Sequence, residues 1–100
     1  FGTNATQTAT TLTITKADLA TVGLSASANN SAESLYVAML LLAKNYLTDA
    51  NLTSNTEQSI SIVDSFDSLV TRGTNQYRQK TYSVNLQKLD TGSTIDPDDY

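Results

Sequence analysis

The sequence contains neither cysteine nor histidine, and both absences exclude kinds of chemistry. Without cysteine there are no disulfides and no thiolate sites, and without histidine the usual proton shuttle near neutral pH is missing. The common zinc sites and the nucleophile pairs built on these residues are excluded as well. The sequence therefore predicts a fold held by non-covalent packing, with no catalytic residue, no cofactor and no metal site.

Charge is also scarce. Only 16% of the residues are charged and the net charge is −4, with an isoelectric point near 4.3. Sequence-independent nucleic-acid binding needs clustered Lys and Arg in a basic domain, so we expect no nucleic-acid partner. The longest apolar run covers residues 36–43, far short of the roughly 20 residues of a membrane span, and we expect no membrane partner. Together these absences predict a protein that is not an enzyme.

The length of 100 residues, 39% of them hydrophobic, predicts a single domain over residues 1–100. Residues 1–9 have few large apolar side chains, which predicts a flexible arm. Residues 10–93 are expected to form a compact α+β core. Residues 94–100 are an acidic tail, expected to be extended or disordered unless a partner holds it, because Pro97 prevents regular ladder pairing.

Alternating apolar and polar residues predict three strands, over residues 10–15, 59–63 and 77–89. The last is expected to pair antiparallel with the segment before it. Residues 64–72 fit a helical turn or a strand edge equally well, and residues 49–57 read as a polar loop. We expect four side chains of the first two strands to point inward: Leu12, Ile14, Ile60 and Ile62.

Capping signals predict the helices. The spacing of Thr15 and Asp18 is that of a capping box, which predicts a short helical turn ended by Gly23. Asn30 is a candidate N-cap for a longer helix over residues 31–48. The predicted fold is therefore α+β, with one main helix packed on a small, mainly antiparallel sheet in the order strand, helix, strand, strand, and with an extended N-terminal arm and C-terminal tail.

The main helix carries two adjacent apolar stripes, one with Leu35, Met39 and Tyr46 and one with Tyr36 and Leu40. Both stripes are expected to face the sheet, and core packing accounts for the two tyrosines as well as an interface position does. Val37 and Leu41 fall outside the stripes. A single helix on one small sheet cannot bury apolar groups around most of its circumference, so we expect this outer face to contribute to a subunit contact.

Two clusters of charge are candidate sites. The carboxylates of Asp64, Asp67, Asp96, Asp98 and Asp99 could form a metal or acid–base site, but they lack the glycine and distal glutamate of a calcium loop, and solvated or capping roles are favoured. Four basic residues alternate with tyrosines and could stack bases; a charged edge that resists wrong pairing is favoured. A third reading is contact with an acidic partner, or with the acidic tail of a symmetry mate. These basic residues are Arg72, Arg78, Lys80 and Lys88.

In size, lack of Cys and His, richness in Thr, Asn and Ser, and layout of an α+β centre with polar ends, the chain resembles the cement or decoration proteins of tailed phages, including those infecting cyanobacteria. The resemblance implies a virion protein on the outer face of a capsid that binds the major capsid protein or other virion subunits and forms a homodimer or other homo-oligomer. A small adaptor or regulatory module that binds a cellular protein through the exposed strand, in the cytoplasm, is the alternative. The expected interface residues are Phe1, Val37, Leu41, Tyr77, Arg78 and Tyr100.

Overall fold

A computed structural model describes residues 1–90 and 92–100. The predicted α+β class is confirmed: these residues form three α-helices and two antiparallel sheets of two strands each. The contacts divide the chain into two compact units, Phe1–Tyr46 and Leu47–Tyr100. Each unit is near the lower size limit of a domain, so the single domain expected from the length stays a prediction.

The first unit begins with a small hairpin, in which β1 (Thr6–Gln7) pairs with β2 (Leu12–Thr13). Two helices follow, α1 (Lys16–Ala20) and α2 (Ala32–Tyr46). The prediction that Leu12 points inward is wrong, because this strand pairs only with β1, directly opposite Gln7, and leaves Leu12 52% exposed. The apolar core of this unit consists of Leu19, Ala38 and Leu42, with Ile14, Val22, Leu24, Leu35 and Met39 packed against it.

Helix α2 buries one narrow face. Its packed residues are Leu35, Ala38, Met39 and Leu42, the i, i+3, i+4, i+7 spacing of a single helical stripe. The prediction of core positions for both tyrosines is wrong: Tyr36 and Tyr46 are 68% and 58% exposed. Within this unit the helix packs against the five-residue α1 and its flanking loops, and so short an element covers only one stripe of α2.

Asp18 contacts the N-terminal arm, which makes a turn closed by the Ala5 N–H and the Gly2 carbonyl before it enters β1. The buried Asp18 carboxylate accepts hydrogen bonds from the Asn4 backbone N–H (3.0 Å) and from Asn4 Nδ2 (2.9 Å). The predicted capping box is therefore wrong, because the Thr15 side chain makes no cap hydrogen bond and Asp18 is engaged by the arm. Gly2 has a positive φ of 100°, and a Cβ there would lie 2.5 Å from the Asp18 side chain, so only glycine fits beside this contact.

The cap of α2 also differs from the prediction. The Ser31 hydroxyl accepts from the Ser34 N–H at 3.1 Å, which makes Ser31 the N-cap. Asn30 instead braces the preceding loop, because its side chain accepts from the Ser27 N–H (2.9 Å) and donates to the Ser25 carbonyl (3.0 Å). Placing the cap one residue later agrees with the observed start of the helix at Ala32.

The second unit opens with helix α3 (Asp49–Ser54), where the sequence suggested a polar loop. The Thr48 hydroxyl caps this helix by accepting from the Asn51 N–H at 3.1 Å. The sequence pattern did not predict this helix because a capped helix of only one and a half turns needs no apolar stripe. The loop prediction for residues 49–57 is therefore wrong over its first six positions.

A long hairpin dominates the second unit. Strand β3 (Ile60–Arg72) pairs antiparallel with β4 (Asn75–Leu86), which confirms the predicted pairing and settles residues 64–72 as strand. A bulge interrupts the register between Asp64 and Asp67. Gly73, with a φ of 63°, occupies the first position of the two-residue turn, where a type II′ turn requires glycine.

The base of the hairpin is anchored, and Ile62, which was predicted to point inward, is buried there. Ile62 is 7% exposed and Ser61 is fully buried. The Ile62 N–H donates to the Leu47 carbonyl at 2.7 Å. Gln58 Nε2 donates to the carbonyls of Thr48 (3.1 Å) and Ile60 (2.8 Å). These bonds tie the first residues of β3 to the segment around α3.

The acidic tail is held by a residue of the same chain. Lys88 Nζ donates to the Thr94 carbonyl (2.8 Å) and to Asp99 Oδ2 (3.0 Å), and a short 3₁₀ helix, Pro97–Asp99, follows. The tail was expected to be extended or disordered unless a partner holds it, and here a lysine of the same chain holds it. The core predicted over residues 10–93 includes Thr91, which lies outside the described residues.

Replacing Asp18 with alanine should free the N-terminal arm. Hydrogen bonds to a charged acceptor contribute about 1.5–3 kcal/mol each, and this change removes two, so we expect the opening free energy of the Asn4 amide, measured by hydrogen exchange, to fall by about 3 kcal/mol or more. Glu57→Gln, which alters an exposed carboxylate, is the matched control and should change nothing measurable. Unchanged exchange at Asn4 in Asp18→Ala would show that the arm is held by other contacts.

Candidate interaction surfaces

The first candidate surface is the distal hairpin, which we define as residues 69–78. Leu69 and Tyr77 are 59% and 42% exposed, although both are large and apolar. Leu69 lies opposite Arg78 in the ladder, and Val70 lies opposite Tyr77. Because neighbouring residues of a strand point to opposite faces, Tyr77 and Arg78 lie on opposite faces of the ribbon. The two interface candidates on this strand are thus adjacent but do not share a face.

Arg72 is positioned by an aromatic ring. Its guanidinium lies 4.9 Å from the centroid of the Tyr77 ring, within the range of a cation–π contact. Arg72 belongs to β3 and Tyr77 to β4. The guanidinium of Arg72, a residue of β3, therefore lies against a side chain of β4.

The four basic residues of the candidate site differ in their partners: the two lysines form ion pairs and the two arginines do not. Lys80 Nζ lies 3.0 Å from Asp67 Oδ2, and Lys88 Nζ lies 3.0 Å from Asp99 Oδ2. Among the described residues neither Arg72 nor Arg78 has a carboxylate within salt-bridge distance. The uncompensated positive charge is therefore concentrated on the distal hairpin.

The hydrogen bond from Lys80 to Asp67 and the attraction of that carboxylate raise the pKa of Lys80 above its ordinary value of 10.5. The two side chains are 61% and 44% exposed. A pair this exposed is screened by solvent and contributes little to stability. Its effect is local, since it neutralises Lys80 next to the uncompensated arginines.

The outer edge of β4 is open. In an antiparallel pair every second residue directs its N–H and C=O away from its partner strand. Within the described part of the second unit, no other segment forms a backbone hydrogen bond with residues 75–81 on that side. Unpaired groups of this kind form a template for another strand.

The second candidate surface lies on the first unit, along α2. Val37 is 52% exposed, and next to it Tyr36 is 68% exposed. Val37 and the half-buried Leu41 line one groove of about 370 Å³, together with Val22 and Leu24. The structure thus brings together Val37 and Leu41, two of the predicted interface residues.

The two terminal candidates lie in different units. Phe1 is 64% exposed in the first unit, and Tyr100 is half-buried in the second. Sequence reasoning missed Tyr36 and Leu69 as exposed apolar residues. The glycine at the two-residue turn and the alternation on both sides of it could have revealed Leu69, but nothing in the pattern distinguished Tyr36 from a core position.

The carboxylates have structural contacts. Asp67 pairs with Lys80 and Asp99 with Lys88, while Asp96 Oδ1 accepts from the Asp98 N–H at 3.0 Å. Over residues 1–90 and 92–100, no three acidic side chains gather in a group that could hold a metal ion. The same residues contain no helix long and apolar enough to cross a membrane.

A comparison with protein-family models, curated proteins and solved structures finds no significant match to this chain. Function must therefore be argued from the surfaces themselves.

The ion pair on the hairpin makes a prediction about pH. Because the folded pKa of Lys80 is raised, the pair stabilises the hairpin fully below pH 10.5 and stops doing so as the pH rises through the higher folded pKa. An NMR titration of Lys80 should therefore give a pKa above that of an unpaired lysine, and Asp67→Asn should lower it to the ordinary lysine value. Equal values in both proteins would show that the pair does not form in solution.

Proposed function

We propose that this chain is a non-enzymatic assembly subunit that functions by binding other protein subunits. One observation carries the proposal, the distribution of apolar side chains. Among the described residues only four apolar residues are buried, whereas twelve large apolar ones are exposed. The buried set is Leu19, Ala38, Leu42 and Ile62.

Exposed apolar groups scattered singly are ordinary, but contiguous groups mark interaction surfaces. Here they lie on regular elements. Tyr36 and Val37 are adjacent on α2, and the distal hairpin exposes one large apolar side chain on each face, Leu69 on one and Tyr77 on the other. A two-stranded ribbon is marginally stable in water unless a further layer covers it. A partner subunit would supply this layer.

Within this class we propose the role that the resemblance to phage cement proteins implies. The chain would bind the outer face of an assembled capsid, bridge neighbouring major capsid subunits and stabilise the shell. The mechanism is mass action, since a ligand that binds only the assembled state stabilises it by about 2.7 kcal/mol at a hundred times its dissociation constant. The virion is then where the protein is found.

Self-association would use the α2 surface. A two-fold dimer needs one self-complementary patch, and α2 offers a projecting Tyr36 beside the groove lined by Val37 and Leu41. The exposed Phe1 and the tail ending at Tyr100 would extend to neighbouring subunits.

The alternative is a small adaptor module, and the open edge of β4 favours it. Peptides are commonly bound by adding a strand to such an edge. A monomer at all concentrations that binds a cellular protein, and no capsid, would support the adaptor over the capsid subunit.

Charging the α2 surface should abolish self-association. In Val37→Glu with Leu41→Lys, two charges would be desolvated at the contact, so we expect a monomer by light scattering at concentrations where the wild type is dimeric or larger. Val37→Glu alone should weaken association in the same direction; it keeps the half-buried Leu41 and so guards against unfolding. Ala9→Glu with Ala50→Lys places the same charges on other exposed residues and should behave as wild type.

A wild type that is monomeric at every concentration would contradict this use of the α2 surface. Loss of folding in Val37→Glu would place Val37 in the core instead.

The capsid role has a direct test. Labelled protein mixed with mature capsids of the phage that encodes it should cosediment with them and raise their disruption temperature, and it should leave unassembled capsid protein unbound. Equal binding to assembled and unassembled subunits would contradict stabilisation by mass action.

A further inference from the structure

We propose that the distal hairpin binds an acidic, extended segment of a partner protein, which adds as a third strand along residues 75–81 of β4. This inference rests on the proposed function, because it names the chemistry of the partner that an assembly subunit would bind at this surface.

The open edge supplies the backbone part of the recognition. Residues 75–80 pair with β3 on one side only, and the bulge between Asp64 and Asp67 lies opposite Thr81, at the end of the proposed stretch. The stretch contains no proline, which would block pairing. A regular, unblocked edge can hydrogen-bond an incoming strand residue by residue.

Two arginines flank this edge, one on each face. Arg78 extends from β4 on the face shared with Leu69. Arg72 reaches β4 on the other face, where its guanidinium lies 4.9 Å from the Tyr77 ring centroid. Side chains of an added strand alternate between the two faces, so carboxylates at successive positions would meet Arg78 on one face and Arg72 on the other.

The charge balance selects an acidic occupant. The whole chain has a net charge of −4, yet no acidic residue occurs between Arg72 and Leu89, and the nearest carboxylate across the ladder, Asp67, already pairs with Lys80. Both arginines therefore remain available to a ligand. A basic or neutral strand would leave them uncompensated beside the new contact.

The acidic tail of a second copy is a weaker candidate. Its Asp99 is engaged by Lys88 of its own chain, and Pro97 lies in a 3₁₀ helix, where it cannot donate to a ladder. A segment of another protein, with carboxylates among β-branched residues and no proline, fits the edge better.

The probe is a synthetic nine-residue peptide of Val, Thr and Glu, with glutamates on both faces, and its counterpart with Lys in place of Glu. Each is titrated into the isotope-labelled full chain and followed by NMR. We expect shifts centred on the amides of residues 75–81 and at least tenfold tighter binding of the Glu peptide. Arg72→Gln with Arg78→Gln should weaken that binding about tenfold, as two exposed ion pairs can account for.

The control variant is Ala9→Glu with Ala50→Glu. It takes the net charge from −4 to −6, as the double arginine variant does, but at exposed residues that are not part of the hairpin, and it should bind the Glu peptide within twofold of wild type. If the control variant and the double arginine variant bound the Glu peptide equally weakly, the net charge of the protein would explain the weaker binding, and the proposal would be overturned.

Three further outcomes would overturn it: equal affinity for the Glu and Lys peptides, shifts centred on Lys88 and the tail, or equally tight binding of a single-stranded oligonucleotide of the same charge. A failure here is separable from failure of the proposed function. Self-association lost in Val37→Glu, together with equal affinity of the wild type for the Glu and Lys peptides, would leave the assembly role supported while the acidic strand is rejected.

Discussion

A ribbon of two β-strands has two faces and two edges, and the second unit has little with which to cover them. The bonds from Leu47 and Gln58 fix only the base of the ribbon. Beyond the bulge, the strands continue to the turn at Gly73 with exposed side chains on both faces. Since two strands alone are marginal in water, we propose that the distal hairpin depends on a partner, and this proposed dependence underlies the proposed function.

The first unit, built mainly from helices, also has little with which to cover its apolar surface. Its core is a single stripe of α2 against the short α1, closed by the Asp18 contact with Asn4. Outside that stripe, Tyr36 and Val37 of α2 are exposed. Each unit therefore combines a small, well-anchored core with an uncovered apolar surface, and one subunit can offer two contacts of different chemistry: an apolar one on α2 and a cationic one on the hairpin.

The sequence predicted what depends on periodicity. Alternation identified the strand around Ile62 and the strand that contains Tyr77, and capping residues located α1 and α2 to within two residues. Prediction from the sequence failed where the choice between alternative hydrogen-bond partners determines the structure. Asp18 could cap α1 or hold Asn4, and only the folded chain shows which; Tyr36 fits an apolar stripe, but the layer that packs on α2 in its unit is too short to reach it. The cation–π contact of Arg72 depends on register across a turn, which residue patterns do not encode.

Hydrogen exchange on the isolated chain at low concentration tests the central claim most directly. If the hairpin depends on a partner beyond its base, the amides of residues 60–63 should be strongly protected while those of residues 69–78 exchange almost as fast as in an unfolded chain. Uniformly slow exchange along both strands of a monomer would contradict the account, because the ribbon would then be stable alone and its exposed residues would require no partner.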